Sequence, residues 1–274
     1  MAFIVIVFLL VSLLVVFAAV ACAFLEIALA GPQSVRESSE TLRWWRPPLV
    51  RGDDLLAWAT ATATAVTKRR LTRPRSQNTA EQLATDIYEG TTYAIAQSPS
   101  AADQREPECP SCRQQMIGVT PPEVLAIADA IRRSKPRWQA HRIHDRAMRN
   151  ATTIRDMDRK QYEQAPVVCP LLAGDGSCAA FNARPVRCRG WCRLCGEDRD
   201  RNLAAGGDAA QLDAPAHTIG RGAEEGLSRA LESAGLDGKV YELNGALVLA
   251  LDTPGAAVRW AAGEPVFERC KLYE

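Results

Sequence analysis

Residues 165–195 read APVVCPLLAGDGSCAAFNARPVRCRGWCRLC, and the interpretation of this stretch decides the fold. Five cysteines, Cys169, Cys178, Cys188, Cys192 and Cys195, stand among prolines and glycines. Neither the helical nor the strand period of apolar residues runs through them. Such a segment lacks the material for a core of its own, so something else must order it. The chain on either side is helical in pattern. The expected class is therefore a mainly α protein with an irregular cysteine-rich metal-binding centre and one N-terminal transmembrane helix.

Working outward, Thr120 can cap a helix, Pro121 or Pro122 suits its first turn, and Glu123 sits at its positive end. Val124, Leu125, Ile127, Ala128 and Ile131 continue the apolar series, and Pro136 stops it. A second helical stretch, roughly 137–164, carries Arg137, Arg142, Arg146 and Arg149, read as a solvated face. Upstream, Leu83, Ile87, Thr91, Ala94 and Ile95 recur at helical spacing and predict an amphipathic helix over 80–97. Downstream, helices are expected near 219–234 and 241–251, the latter with an apolar face of Leu243, Leu247, Val248 and Leu251.

At the N-terminus, Ala2 to Leu25 is free of charge, and 24 helical residues make roughly 36 Å, enough to cross a hydrocarbon core of about 30 Å. Ala28-Leu29-Ala30 resembles a small-residue cleavage site, but no Lys or Arg precedes the run and its length exceeds a signal core. An uncleaved anchor is expected. Arg36, Arg43 and Arg46 follow it, which places the body on the cytoplasmic side of the membrane. The expected organisation is an anchor over 1–30, a juxtamembrane linker with one amphipathic helix over 31–104, a cysteine-cluster domain over 105–200, and a helical C-terminal extension over 201–274 packing on it. The Ala-Thr alternation from Ala59 to Thr67 belongs to the linker in this reading.

The chain has 274 residues, 33 Lys+Arg and 32 Asp+Glu, a net charge of +1. That balance excludes a bulk polyelectrolyte, and nucleic acid is not an expected partner. Residues 131–149 hold seven basic side chains and one acidic, while 202–274 hold six basic and eleven acidic, so the two segments can attract. The expected partners are membrane lipid, through the N-terminal helix, and a protein partner of unknown identity.

Cys109-x2-Cys112 adds a further pair to the five cysteines, with Cys270 outlying. Disulfides, buried unbonded thiols and metal ligation compete as explanations. Disulfides need an oxidising compartment, against the expected orientation. Buried thiols usually occupy regular elements, and these stand in loops beside arginines. Ligation has a physical reason behind it: a C-x2-C hairpin gives two thiolates to one ion, and distant cysteines complete a tetrahedral shell. The energy, about 10–16 kcal/mol for structural zinc in small peptides, would order the loop. Arg184, Arg187, Arg189 and Arg193 would offset the thiolate charge. Zinc or an iron–sulfur cluster is the expected cofactor, and softness does not separate them.

Other signals are weaker. Cys188-x3-Cys192-x2-Cys195 matches the spacing that holds a four-iron cluster in radical S-adenosylmethionine enzymes, but it lies late in an irregular loop rather than opening a barrel. His141-x2-His144 can share a helical face, and a basic exposed helix is the commoner situation. Hydrolytic and nucleotide-binding motifs are missing from the sequence.

Cys109-x2-Cys112, Val119-Thr120-Pro121-Pro122-Glu123-Val124, Cys169-Pro170-Leu171-Leu172, Gly176-Ser177-Cys178, Phe181 and Arg184-Pro185-x2-Cys188-Arg189 together resemble the YkgJ-type cysteine-cluster proteins, a zinc- or iron-chelating domain family. The likeness covers roughly residues 105–195, with weaker markers from Gly235 to Phe267. It implies chelation by Cys109, Cys112, Cys169, Cys178 and Cys188. Arg113 stands where the family's first motif usually repeats its cysteine, and Cys192 and Cys195 are extra thiols that can complete the set. The functional expectation is a membrane-anchored zinc- or iron–sulfur-binding module, redox-active or purely binding. An iron–sulfur oxidoreductase or methyltransferase-linked enzyme, and an assembly protein with a structural metal, are the alternatives.

Overall fold

A computed structural model describes residues 42–98, 116–165, 167–191 and 214–273. The body from Trp44 onward is mainly helical, with a single two-residue pairing of strands among the described residues. The anchor expected over 1–30 lies outside the described residues, and no described helix is long and apolar enough to cross a membrane.

Helix α1, Asp53–Leu71, opens with Asp53 and Asp54 and closes with Lys68, Arg69 and Arg70, charges that complement the helix dipole at both ends. It contains the Ala-Thr alternation read from sequence as linker. The alternation has no hydrophobic stripe, yet Ala59 and Ala63 are fully buried. The reason lies on α7, Ala214–Ser233. A Cβ added at Gly222 would stand 2.6 Å from the Ala59 Cβ, and one at Gly226 would stand 2.3 Å from the Thr60 carbonyl oxygen. Small residues on both helices let the backbones meet. Thr64 Oγ1 donates within α1 to the Thr60 carbonyl at 2.7 Å and across this seam to the Gly226 carbonyl at 3.2 Å.

Helix α2, Thr79–Ala96, matches the predicted amphipathic helix and buries Leu83, Ile87, Thr91, Ala94 and Ile95. Arg70 ties it to α1 through a two-bond pairing with Asp86, at 2.7 and 2.9 Å. Helix α3, Pro121–Ser134, begins as its sequence predicts, with Thr120 before it and proline in its first turn.

The predicted stretch 137–164 is two helices, α4 over Arg137–Ile154 and α5 over Arg159–Gln164. Asp158 makes the break. Its Oδ1 accepts the Gln161 N–H and its own N–H donates to Gln161 Oε1, both at 2.8 Å, a capping box that starts α5 afresh. A short 3-10 turn over Phe181–Ala183 and α6, Val186–Trp191, end the cysteine-rich loop.

Strand β1, Gly118–Val119, pairs antiparallel with β2, Tyr241–Glu242. The segment before the C-terminus adds to this joint, with Glu242 N–H donating to Lys271 O at 2.8 Å and Tyr273 N–H to Val240 O at 2.9 Å. Helices α8, Leu243–Asp252, and α9, Ala256–Ala261, follow. One cluster of buried side chains holds Leu83, Ile127, Leu171, Val186, Leu227, Leu247, Trp260 and Phe267, so helices before and after the cysteine-rich loop share its core.

Candidate metal centre

The loop from Val167 to Ala180 is a compact hairpin. Leu172 and Cys178 form an antiparallel bridge. Leu172 N–H donates to Cys169 O at 3.1 Å, Ala179 N–H to Leu171 O at 2.7 Å and Ala173 N–H to Ser177 O at 2.8 Å. Gly176, at φ 84°, supplies the left-handed residue the turn requires. Asp175 Oδ1 accepts from the Ser177 hydroxyl and N–H, and these bonds hold its carboxyl below the usual range. Cys169 is buried in the main core, and Cys178 packs against it from a half-buried position.

Side chains of α4 pin this hairpin. Arg146 donates to the Leu172 carbonyl at 2.6 Å and reaches that of Cys169 at 3.5 Å, while Asn150 donates to Val168 O at 2.8 Å. Arg146, read from sequence as part of a solvated face, is thus a structural member of the cysteine loop.

The second half of the loop is joined to α3 by one carboxylate. Glu123 Oε2 accepts the Thr120 N–H and hydroxyl, both at 2.8 Å, and Oε1 accepts the Val186 N–H at 2.9 Å. The Thr-Pro-Pro-Glu and Arg-Pro-Val motifs, 63 residues apart, therefore touch. Burial raises the Glu123 carboxyl from its ordinary value, and these hydrogen bonds oppose the rise.

Cys188 lies on α6, half-buried, between Arg187 and Arg189. Arg187 donates to both carboxylate oxygens of Glu224 at 2.9 and 2.8 Å, and burial raises Glu224 to about 7 despite that arginine. Arg189 donates instead to uncharged acceptors, the carbonyls of Arg184 at 3.1 Å and Asn182 at 2.5 Å and the Thr92 hydroxyl at 2.9 Å. Its guanidinium lies 4.4 Å from the centre of the Tyr88 ring, and that of Arg184 lies 4.3 Å from Phe181. Among the described residues neither Arg184 nor Arg189 pairs with a carboxylate. Burial of Tyr88, with Glu123 and Cys188 nearby, drives its phenol well above its ordinary value, and among the described residues its buried hydroxyl has no hydrogen-bond partner.

Of the sequence-predicted ligands, Cys169 and Cys178 both stand in the hairpin and Cys188 stands on α6; Cys109, Cys112, Cys192 and Cys195 lie outside the described residues. No disulfide joins two described cysteines. Among the described residues no group of three or more His, Cys, Asp or Glu side chains could hold an ion. His141 is exposed, 3.5 Å from Asp145, and His144 Nε2 lies 2.9 Å from Asp252. Cys270 stands apart, its thiol pushed up to about 12 chiefly by burial. Tyr88 and Glu224 escaped the sequence reading. Tyr88 sits one turn after Ala84 on the buried face of α2, but nothing local announces that Arg189 covers it.

No family model, curated protein or solved structure matches this chain. The likeness to the cysteine-cluster proteins rests on the motifs themselves.

Proposed function

We propose that this protein is a membrane-anchored metal-binding module, holding zinc or an iron–sulfur cluster through Cys109, Cys112, Cys169, Cys178 and Cys188, with Cys192 or Cys195 completing the shell. The anchor is the apolar run at the N-terminus, and the cysteine-rich body faces the cytoplasm.

The observation that carries the reading is the cluster of positive charge around Cys188, which exceeds the buried carboxylate near it, Glu123. Arg184 and Arg189 are half-buried and have no described carboxylate partner. Two guanidinium groups so placed favour negative charge beyond that of Glu123, and a metal-bound Cys188 thiolate would supply it. The hairpin adds support, because it carries Cys169 and Cys178 within one hydrogen-bonded turn. When bound, the metal would cross-link chain segments, and with iron it would add electron transfer.

Metal analysis and an absorption spectrum of the full chain purified without oxygen test the proposal. The expected result is stoichiometric zinc, or iron with sulfide and a broad visible band. Cys169→Ser and Cys188→Ser should each lose metal and thermal stability together. Full metal content in both variants would overturn the assignment. Removing Arg184 and Arg189 together should raise the pH at which acid releases the metal, because their loss makes the thiols less acidic.

A further inference from the structure

Between α4, α8 and the segment 269–271 lies a groove of about 460 Å3, within the rough 300–1,000 Å3 of small-molecule sites. Its walls are largely apolar. Met148 and Ile154 line it from α4, Val248 and Leu249 from α8, and Met148 is 47% exposed.

The charges around the groove are unevenly matched. Of its two acids, Glu242 accepts from Asn244 at 2.6 Å and from the Gly245 N–H at 3.1 Å, and Asp252 is exposed at the rim, 2.9 Å from His144 Nε2. Its cations are Arg155, Arg269 and Lys271, and the Lys271 ammonium donates to the carbonyls of Arg155 at 3.2 Å and Met157 at 2.7 Å. Arg155 and Arg269 are exposed, and among the described residues neither has a carboxylate partner.

From an apolar trough bordered by two unmatched guanidinium groups, we infer that this groove binds an organic anion of the long-chain carboxylate class. The hydrocarbon body lies against Met148, Val248 and Leu249, and the carboxylate meets the arginine forks, whose geometry suits it. This site is separate from the cysteine loop and does not depend on the metal reading.

Gly245 provides a clean test. It lines the groove, and a Cβ built on it meets nothing within 4 Å, so Gly245→Phe can fill the space without disturbing the core. The full chain in lipid nanodiscs is titrated with dansyl-aminoundecanoic acid, with protein-free nanodiscs as the partition control. Saturable binding is expected, displaced by dodecanoate and far less well by dodecanol. Gly245→Phe should abolish it with an unchanged melting temperature, and Arg155→Glu with Arg269→Glu should weaken it about tenfold or more. Uptake no greater than in protein-free nanodiscs, binding retained in Gly245→Phe, or equal displacement by acid and alcohol would each overturn the inference.

Discussion

The α1–α7 seam and the cysteine loop are ordered by opposite means. The seam has almost no specific side-chain chemistry: Ala59, Ala63, Gly222 and Gly226 bring two helix backbones together, and contact is its organising force. The loop has little regular structure and is held by charged and polar side chains reaching its carbonyls and amides, Arg146 and Asn150 on one half and Glu123 on the other. Packing that depends on small residues tolerates no added atom, whereas a polar scaffold loses stability bond by bond.

The sharpest way to break this contrast is to enlarge the seam. Gly226→Leu forces a side chain into the Thr60 carbonyl and should cost about 3 kcal/mol or more, read from urea unfolding. Next in size, Glu123→Ala leaves the buried Val186 and Thr120 donors without their acceptor and should cost about 2–3 kcal/mol in the same assay. Arg146→Met should cost about 1–2 kcal/mol, and amide hydrogen exchange should show the loosening in residues 167–179 and not in α1.

A pH-dependent test concerns the Arg187–Glu224 pair, which joins the two regions. A carboxyl at about 7 in the folded state and near 4.5 when unfolded binds its proton more tightly on folding. Its contribution is therefore present at acidic pH and declines as pH rises through that interval. Glu224→Gln should flatten the dependence of the urea midpoint between about pH 4.5 and 7.

What could be read from the sequence follows the same division. The start of α3 was legible because Thr120, Pro121, Pro122 and Glu123 act locally, as was α2, whose apolar stripe repeats at helical spacing. The bond from Glu123 to Val186 was not, since one carboxylate can cap its own helix and also serve a remote amide. The Ala-Thr run looked like linker because small side chains carry no amphipathic signal; its burial depends on glycines roughly 160 positions away. Arg146 looked solvated because its acceptors are backbone carbonyls, which leave no trace in residue type. The break at Asp158 was readable in principle from the Asp-x-x-Gln pattern. Of the proposed ligands, Cys169, Cys178 and Cys188 can be placed, while the other four lie outside the described residues.

The glycine seam also sets an order of events during synthesis. Its two helices come from distant parts of the polypeptide, so α1 leaves the ribosome long before α7 exists to cover it. Closing so long a loop is entropically slow, and the earlier helix must wait with its small-residue face uncovered. Nascent chains stalled before residue 214 should accordingly be cut by protease within 53–71, and become resistant once the later helix emerges.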